Sequence, residues 1–454
     1  MAVPPAGALS AYLRSRVATR AGEDVDALGS AQAAVDADPA DPRLRLHLAE
    51  RLFAAAQPDA ARSQLELALH LGALPWEVAR IEAIAGRRAG SKGVACARLA
   101  SAAEGAPSSY FALWADIAAE VDTATLDAAT SAWVAALPGD PMAWRRRGAA
   151  LVRAGRSAEA AAAFDKAAEL PDGFADGAAM ASRQWRLAGD IAAARASAEL
   201  CMQRYDDNPR CHAVLARVLD TPPGEVTAPD DAPVPAETRA ALLRLAALVS
   251  GNARSFSMAA RAVLEENRPA VARVFGEEAV SIRPRNPGLL FACATLFERV
   301  GAYDQADDAL LRIIAIDPNH HTALNHLGYT WADRNVRLDE ALAYLQRALA
   351  QRPDDPGIKD SVAWALYRLG RFEEAEALQA QAVAEEPESA VLLDHYGDIL
   401  MALRRRDEAI RFWRLALRHA GADDEDVAVD APRKLREQGV EPDDTPTAPD
   451  PTSQ

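Results

Sequence analysis

Residues 339–353 read DEALAYLQRALAQRP, residues 373–387 read EEAEALQAQAVAEEP, and residues 407–420 read DEAIRFWRLALRHA. Each stretch opens on acidic residues, sets an alanine (Ala341, Ala375, Ala409) at the same point, and then returns to apolar residues at helical steps. The three alanines are 34 residues apart. Walking back, Ala306 lies 35 residues before Ala341 and Ala272 lies 34 before Ala306, while Ala194 and Ala160, and Ala95, Ala61 and Ala27, keep the 34-residue step. A fixed period of this length predicts helical hairpins stacked side by side. The beat breaks twice. Ala95 and Ala160 are 65 apart, which predicts a shortened turn around WADIAAEVDTATLDAATSAWVAALP (114–138), and Ala194 and Ala272 are 78 apart, with the surplus in TPPGEVTAPDDAPVPAE (221–237).

Composition agrees with helix packed on helix. Half of the 454 residues are hydrophobic, only 6% are aromatic, and alanine supplies much of the apolar fraction. No segment alternates with period two for long enough to predict a sheet. The formal charge of -16 repels phosphate backbones, so nucleic-acid binding is not expected. Only four of the 50 basic residues are lysines, so the positive charge is nearly all arginine. Cys96, Cys201, Cys211 and Cys293 form no CxxC pair and read as small buried apolar residues, with a Cys201–Cys211 bridge as the alternative. The opening MAVPPAGALSAYLRSRVATR lacks an apolar run of signal length, and no long apolar stretch follows, so the chain as written reads as cytoplasmic with no membrane insertion.

The clearest single copy of the repeat is MAWRRRGAALVRAGRSAEAAAAFDKAAELP (142–171). Its Trp144, Gly148, Leu151, Gly155, Ala160, Phe164 and Ala167 fall in the pattern of the tetratricopeptide repeat family, which the chain resembles from about residue 9 to residue 420. In SVAWALYRLGRFEEA (361–375) and its continuation, Leu366, Gly370, Phe372, Ala375, Ala382 and Pro387 match, while Val362 and Ala363 stand where the family usually has Leu and Gly. The resemblance implies an all-α, right-handed α-solenoid of about twelve antiparallel helix pairs. Small residues such as Gly148, Ala160 and Ala167 would let helices cross closely, with Leu151 and Phe164 filling the space between. Pro39, Pro138, Pro284, Pro318, Pro353 and Pro387 would each follow a helix end.

The expected organisation is a first array over 1–220, an inserted Pro-rich acidic loop over 221–237, a second array over 238–420, a capping helix over 421–438 and a disordered acidic tail over 439–454. The five prolines of 221–237 exclude a helix there, and the stretch reads either as a loop between the two helices of one unit or as a hinge between arrays. DDEDVAVDAPRKLREQG (423–439) carries acids first and basic residues last, the polarity that suits a helix dipole.

Catalytic chemistry is not expected. GRRAGSKGVA (86–95) has Gly-Ser-Lys rather than Gly-Lys-Ser/Thr and no strand before it, so it does not read as a phosphate loop. His320, His321 and His326 lack the i, i+4 spacing that would set two metal ligands on one helical face, and His395 reads as surface polar. No cofactor, metal or small-molecule substrate is expected.

What remains is recognition of a protein or extended peptide by a non-enzymatic scaffold or adaptor. On α-helical spacing, Val362, Ala363, Leu366 and Leu369 share one stripe of their helix, and Asp360, Trp364, Tyr367 and Arg368 share another. The family resemblance implies that the first helix of each unit lines a concave groove. The inward set is then Asn325, Tyr329 and Asp333, followed by Asp360, Trp364, Tyr367 and Arg368, and last Asp394 and Asp398. Exposed rings beside Asn, Asp and Arg have the composition of a binding hot spot, and packing of Trp364 and Tyr367 into the neighbouring unit is the alternative. ALNHLGYTWADRNVRLDEALAYLQRAL (323–349), with SVAWALYRLGRFEEA and DHYGDIL after it, also resembles bacterial envelope repeat proteins, among them a lipoprotein adaptor of a periplasmic processing protease. That likeness implies a second possibility, a non-catalytic subunit of an envelope protease or assembly machine, periplasmic if the true start lies upstream.

Overall fold

A computed structural model describes residues 6–222, 228–421 and 424–442, and it contains twenty-five α-helices with no strand among the described residues. Two compact units divide the chain at Ala241 and Leu242. The first holds α1 (Ala6–Ala21), α2 (Asp24–Ala37), α3 (Pro42–Ala54), α4 (Pro58–His70), α5 (Pro75–Arg88), α6 (Lys92–Ser101), α7 (Ser108–Ala118), α8 (Thr123–Ala136), α9 (Pro141–Arg153), α10 (Ser157–Glu169), α11 (Ala175–Leu187), α12 (Ile191–Arg204) and α13 (Pro209–Leu219). The division falls inside α14 (Ala236–Val249). The second unit continues with α15 (Ala253–Glu266), α16 (Pro269–Ile282), α17 (Pro287–Arg299), α18 (Tyr303–Ile316), α19 (His321–Asp333), α20 (Leu338–Gln351), α21 (Pro356–Arg368), α22 (Phe372–Glu385), α23 (Ala390–Ala402), α24 (Arg406–His419) and α25 (Glu425–Glu437).

Within each unit the helices form successive hairpins, and several odd-numbered helices touch both their own partner and the next odd-numbered helix, as α11 does α12 and α13, α19 does α20 and α21, and α21 does α22 and α23. The hairpin is built as the repeat pattern requires. Gly148 of α9 faces Phe164 of α10 so closely that a Cβ would sit 2.6 Å from the ring. Leu151, Ala160, Phe164 and Ala167 are all buried around that contact. At Gly397 of α23 the same fit is made against Trp413 of α24, at 2.5 Å. Each of the six prolines expected after helix ends lies two residues beyond one: Pro39 after α2, Pro138 after α8, Pro284 after α16, Pro318 after α18, Pro353 after α20 and Pro387 after α22. A second device starts the next helix. Asp41, Asp140, Asn208, Asn286 and Asp355 each precede a proline at the first helical position and accept a backbone N–H of the first turn with their side chains.

The shortened step between Ala95 and Ala160 is taken up by helices rather than by the expected turn, because α6 has 10 residues and α7 has 11 where neighbouring helices have 13 or 14. Residues 223–227 of the Pro-rich stretch lie outside the described residues, as do 443–454 of the expected disordered tail. Between them α25 forms as the expected capping helix, burying Val427, Ala431 and Leu435 against the end of the second unit.

The cysteine reading needs correction. Cys201 of α12 and Cys211 of α13 are joined by a disulfide with Cα atoms 5.3 Å apart. The hairpin turn between the helices brings the two side chains together, which sequence spacing alone did not decide. Cys96 and Cys293 are free and buried, and burial pushes the Cys293 thiol up to about 12.

Candidate functional site

Three neighbouring first helices of the second unit, α19, α21 and α23, carry the expected groove residues. Sequence periodicity divides α21 into a packing stripe and a free stripe, but the structure buries every residue from Ile358 to Leu366. The reason is its place in the array: α21 is contacted by α19, α20, α22 and α23 together, so both stripes meet other helices. Trp364 is only 7% exposed, Asp360 5% and Asp394 6%, which corrects the expectation of exposed side chains at these three positions. Tyr329, Asn325, Tyr367, Arg368 and Asp398 are half-buried, and Asp333 is exposed.

The buried groups form one connected arrangement. The His395 ring of α23 stacks on Trp364 at 4.3 Å between centroids, Trp364 stacks on Tyr367 at 5.0 Å, and the Tyr329 ring of α19 lies tilted 6.4 Å from His395. Arg368 lies over the Trp364 ring, 5.8 Å from its centroid. Beneath the rings, His395 Nδ1 donates to Asp360 Oδ1 at 2.9 Å, and Gln379 Nε2 of α22 donates to the same oxygen at 2.6 Å and to the Leu392 carbonyl at 2.9 Å. His395 is therefore a buried bridge between repeats, not the surface polar residue expected.

Asp394 and Asp398 meet a cation that sequence reasoning missed. Lys434 Nζ of α25 donates to Asp394 Oδ2 at 2.7 Å and to Asp398 Oδ2 at 2.8 Å, while Trp413 Nε1 donates to Asp398 Oδ1 at 3.0 Å. A signal was available, because Lys434 is one of only four lysines in a chain that otherwise uses arginine.

Electrostatics follow burial and charge. Burial raises the Asp394 carboxyl above its ordinary range, with Asp398 adding to the effect and Lys434 opposing it. Burial works against charge on Lys434, yet Asp398 and Asp394 outweigh it and its pKa rises. For His395, burial likewise opposes protonation but is outweighed by Asp360, with Asp394 and Asp398 adding, so the imidazole holds its proton above the usual pH. Burial and the surrounding carboxylates of Asp333, Asp360, Asp426 and Asp394 raise Tyr329 as well, keeping its hydroxyl a hydrogen-bond donor. Three buried polar atoms on these first helices have no hydrogen-bond partner among the described residues: Asn325 Oδ1 on α19, Trp364 Nε1 on α21 and Asp394 Oδ1 on α23.

Comparison with known proteins bears on the repeat. Tetratricopeptide repeat family models match residues 123–174, 291–356 and 336–392. A TPR repeat-containing protein of Pseudomonas aeruginosa is 36% identical over 122 residues, covering 27% of this chain and 20% of that protein. Cellulose synthase 2 operon protein C of Komagataeibacter xylinus is 33% identical over 133 residues, covering 29% of this chain and 10% of that protein. The matched part thus spans a fifth or less of the length of either relative. Among solved structures, a thermophilic TPR protein of Thermus thermophilus aligns with a TM-score of 0.35 at 21% identity, over 41% of this chain and all of that one. Yeast Tom70 aligns with a TM-score of 0.33 at 14% identity, over 95% and 96% of the two chains. No helix among the described residues is long and apolar enough to cross a membrane.

Proposed function

We propose that this chain, a tetratricopeptide-repeat protein, is a non-enzymatic scaffold that holds an extended protein segment along α19, α21 and α23. The observation that carries this reading is the run of side chains on successive first helices that keep part of their surface open: Asn325, Tyr329 and Asp333 on α19, Tyr367 and Arg368 on α21, and Asp398 on α23. Such rings and polar groups give contact area and hydrogen bonds to an extended backbone laid across the helices. Asp333 and Arg368 at the rim supply charge that fixes the segment's register. The net charge of -16 disfavours nucleic acid as the ligand. The test is a peptide array from proteins that co-purify with the chain in its native cell, probed with wild type and with Asp333→Ala/Arg368→Ala. Binding of discrete peptides that weakens about tenfold in the variant, the loss of a moderate hot spot, is expected. Peptides that bind wild type and variant equally would move the site elsewhere on the chain.

A second reading is favoured by the disulfide. Cystines persist in oxidising compartments and are rare in the cytosol, so the Cys201–Cys211 bond supports service in the cell envelope, as a non-catalytic subunit of a protease or assembly machine. Thiol trapping in intact cells, followed by denaturation and mass spectrometry, reads the state directly. Cys201 and Cys211 trapped as free thiols would remove the support for an envelope location.

A further inference from the structure

The first unit holds a cleft that the segment site on α19, α21 and α23 does not involve. Helices α4 and α5 touch less than α2 and α3 or α10 and α11 do. The start of α4, at Pro58 and Arg62, and the end of α5, at Ile84, Ala85 and Arg88, line an opening of about 1040 Å³, and α3 and α6 supply the rest of its lining. Apolar surface is left open inside it. Phe53 of α3 and Ile84 of α5 are half-buried, and Val94 of α6 is 71% exposed. Open apolar side chains gathered in one concavity mark an interaction site.

Charge in the lining identifies the occupant. Four arginines, Arg51, Arg62, Arg88 and Arg98, stand against two carboxylates, Glu50 and Glu82. Both carboxylates are already taken, Glu82 by Arg98 Nε at 2.7 Å and Glu50 by Arg80 at 2.9 Å. Arg62 pairs with Asp59 of its own helix. Arg51 and Arg88 form no ion pair among the described residues, and the Arg51 guanidinium donates to the Thr19 hydroxyl at 3.0 Å. The lining also takes in Pro58, the first residue of α4, and Ser91, which precedes α6, and neither helix is capped by a side-chain hydrogen bond. The positive ends of two helix dipoles therefore border the same space. In a chain of net charge -16 this cleft is locally basic, and its complement is a ligand both acidic and apolar.

We propose that the cleft lined by α3, α4, α5 and α6 binds an acidic segment of a partner protein, which sets an apolar side chain between α4 and α5 and its carboxylates on Arg51 and Arg88.

The test is selection of short random peptides displayed on phage against the full chain, followed by fluorescence anisotropy of the selected peptides on wild type, Arg88→Glu and Ala97→Trp. Arg88 and Ala97 are exposed and both line the cleft, so the first variant reverses its charge and the second fills it while the melting temperature stays at the wild-type value. Wild type should enrich a class of peptides that combine Asp or Glu with Leu or Phe, and each variant should bind that class at least tenfold more weakly. Peptides seated on α19, α21 and α23 are told apart because they bind both variants as they bind wild type. A selection with no acidic class overturns the proposal, and so do acidic peptides that bind both variants like wild type. Loss in Arg88→Glu with unchanged binding to Ala97→Trp overturns it as well, since the charge would then act without the cleft.

Discussion

At Trp364 the question left open by the sequence, packing or binding, has a physical consequence that can be measured. The ring is 93% covered, stacked on His395 of the next repeat and on Tyr367 of its own, so Trp364→Ala opens a cavity between helices. A stability loss of about 3–5 kcal/mol is expected in denaturant unfolding. Tyr367→Ala, at a half-buried position, should cost clearly less, and equal losses would mean that the two rings form one core. The histidine beneath the ring adds a pH dependence. A folded-state pKa raised above the ordinary 6.5 means that His395 stabilises the fold fully below that value and loses the contribution as pH rises through the folded value. Stability should therefore fall over the range just above 6.5, and His395→Phe should flatten that slope. An unchanged slope in His395→Phe would show that the imidazole takes up no extra proton in the folded chain.

Helix α25 shows what an element can hide from a sequence reading. The 34-residue alanine beat located the hairpins, and acids before basic residues located α25, because both signals are periodic or local. What the beat could not give was the reach of Lys434 back to Asp394 and Asp398, or of His395 back to Asp360, since those contacts join residues 36 to 40 and 35 apart through tertiary packing. The nine groove positions follow from helical phase together with the repeat resemblance. Phase orients a side chain but does not say how closely the next helix approaches, which is why Trp364, Asp360 and Asp394 came out buried. The Asx-Pro starts of α3, α9, α13, α17 and α21 are a local signal in the sequence, an acceptor side chain set directly before a proline. The lysine contact predicts that α25 is fastened electrostatically as well as by Val427, Ala431 and Leu435. Lys434→Met keeps the stem and removes the ammonium, leaving two carboxylates side by side, so amide exchange in α25 should speed up by tenfold or more while α19 is unchanged, in line with about 1.5 kcal/mol or more of lost anchoring. Protection in α25 that survives the change would assign its attachment to the apolar contacts alone.

Along the first unit, helices touch only near neighbours, so stability should behave as a sum of hairpin strengths and nearest-neighbour contacts rather than as one indivisible core. The disulfide offers a way to test that additivity without cutting the chain. Cys201 and Cys211 are fully buried and 10 residues apart, and a closed loop of that size stabilises by about 2–3 kcal/mol through the unfolded state. Replacing both with alanine removes the link and leaves the apolar volume nearly filled, so the loss should fall on α11, α12 and α13, which contact one another. Hydrogen exchange read by mass spectrometry should then show a large drop in protection over those three helices, a smaller one over α9 and α10, and none over α1 to α4. A graded loss of this kind is what nearest-neighbour coupling produces, because each helix feels the change only through the helix beside it. An equal loss over all thirteen helices would mean that the unit unfolds as a whole, and the picture of independent hairpins would have to be given up.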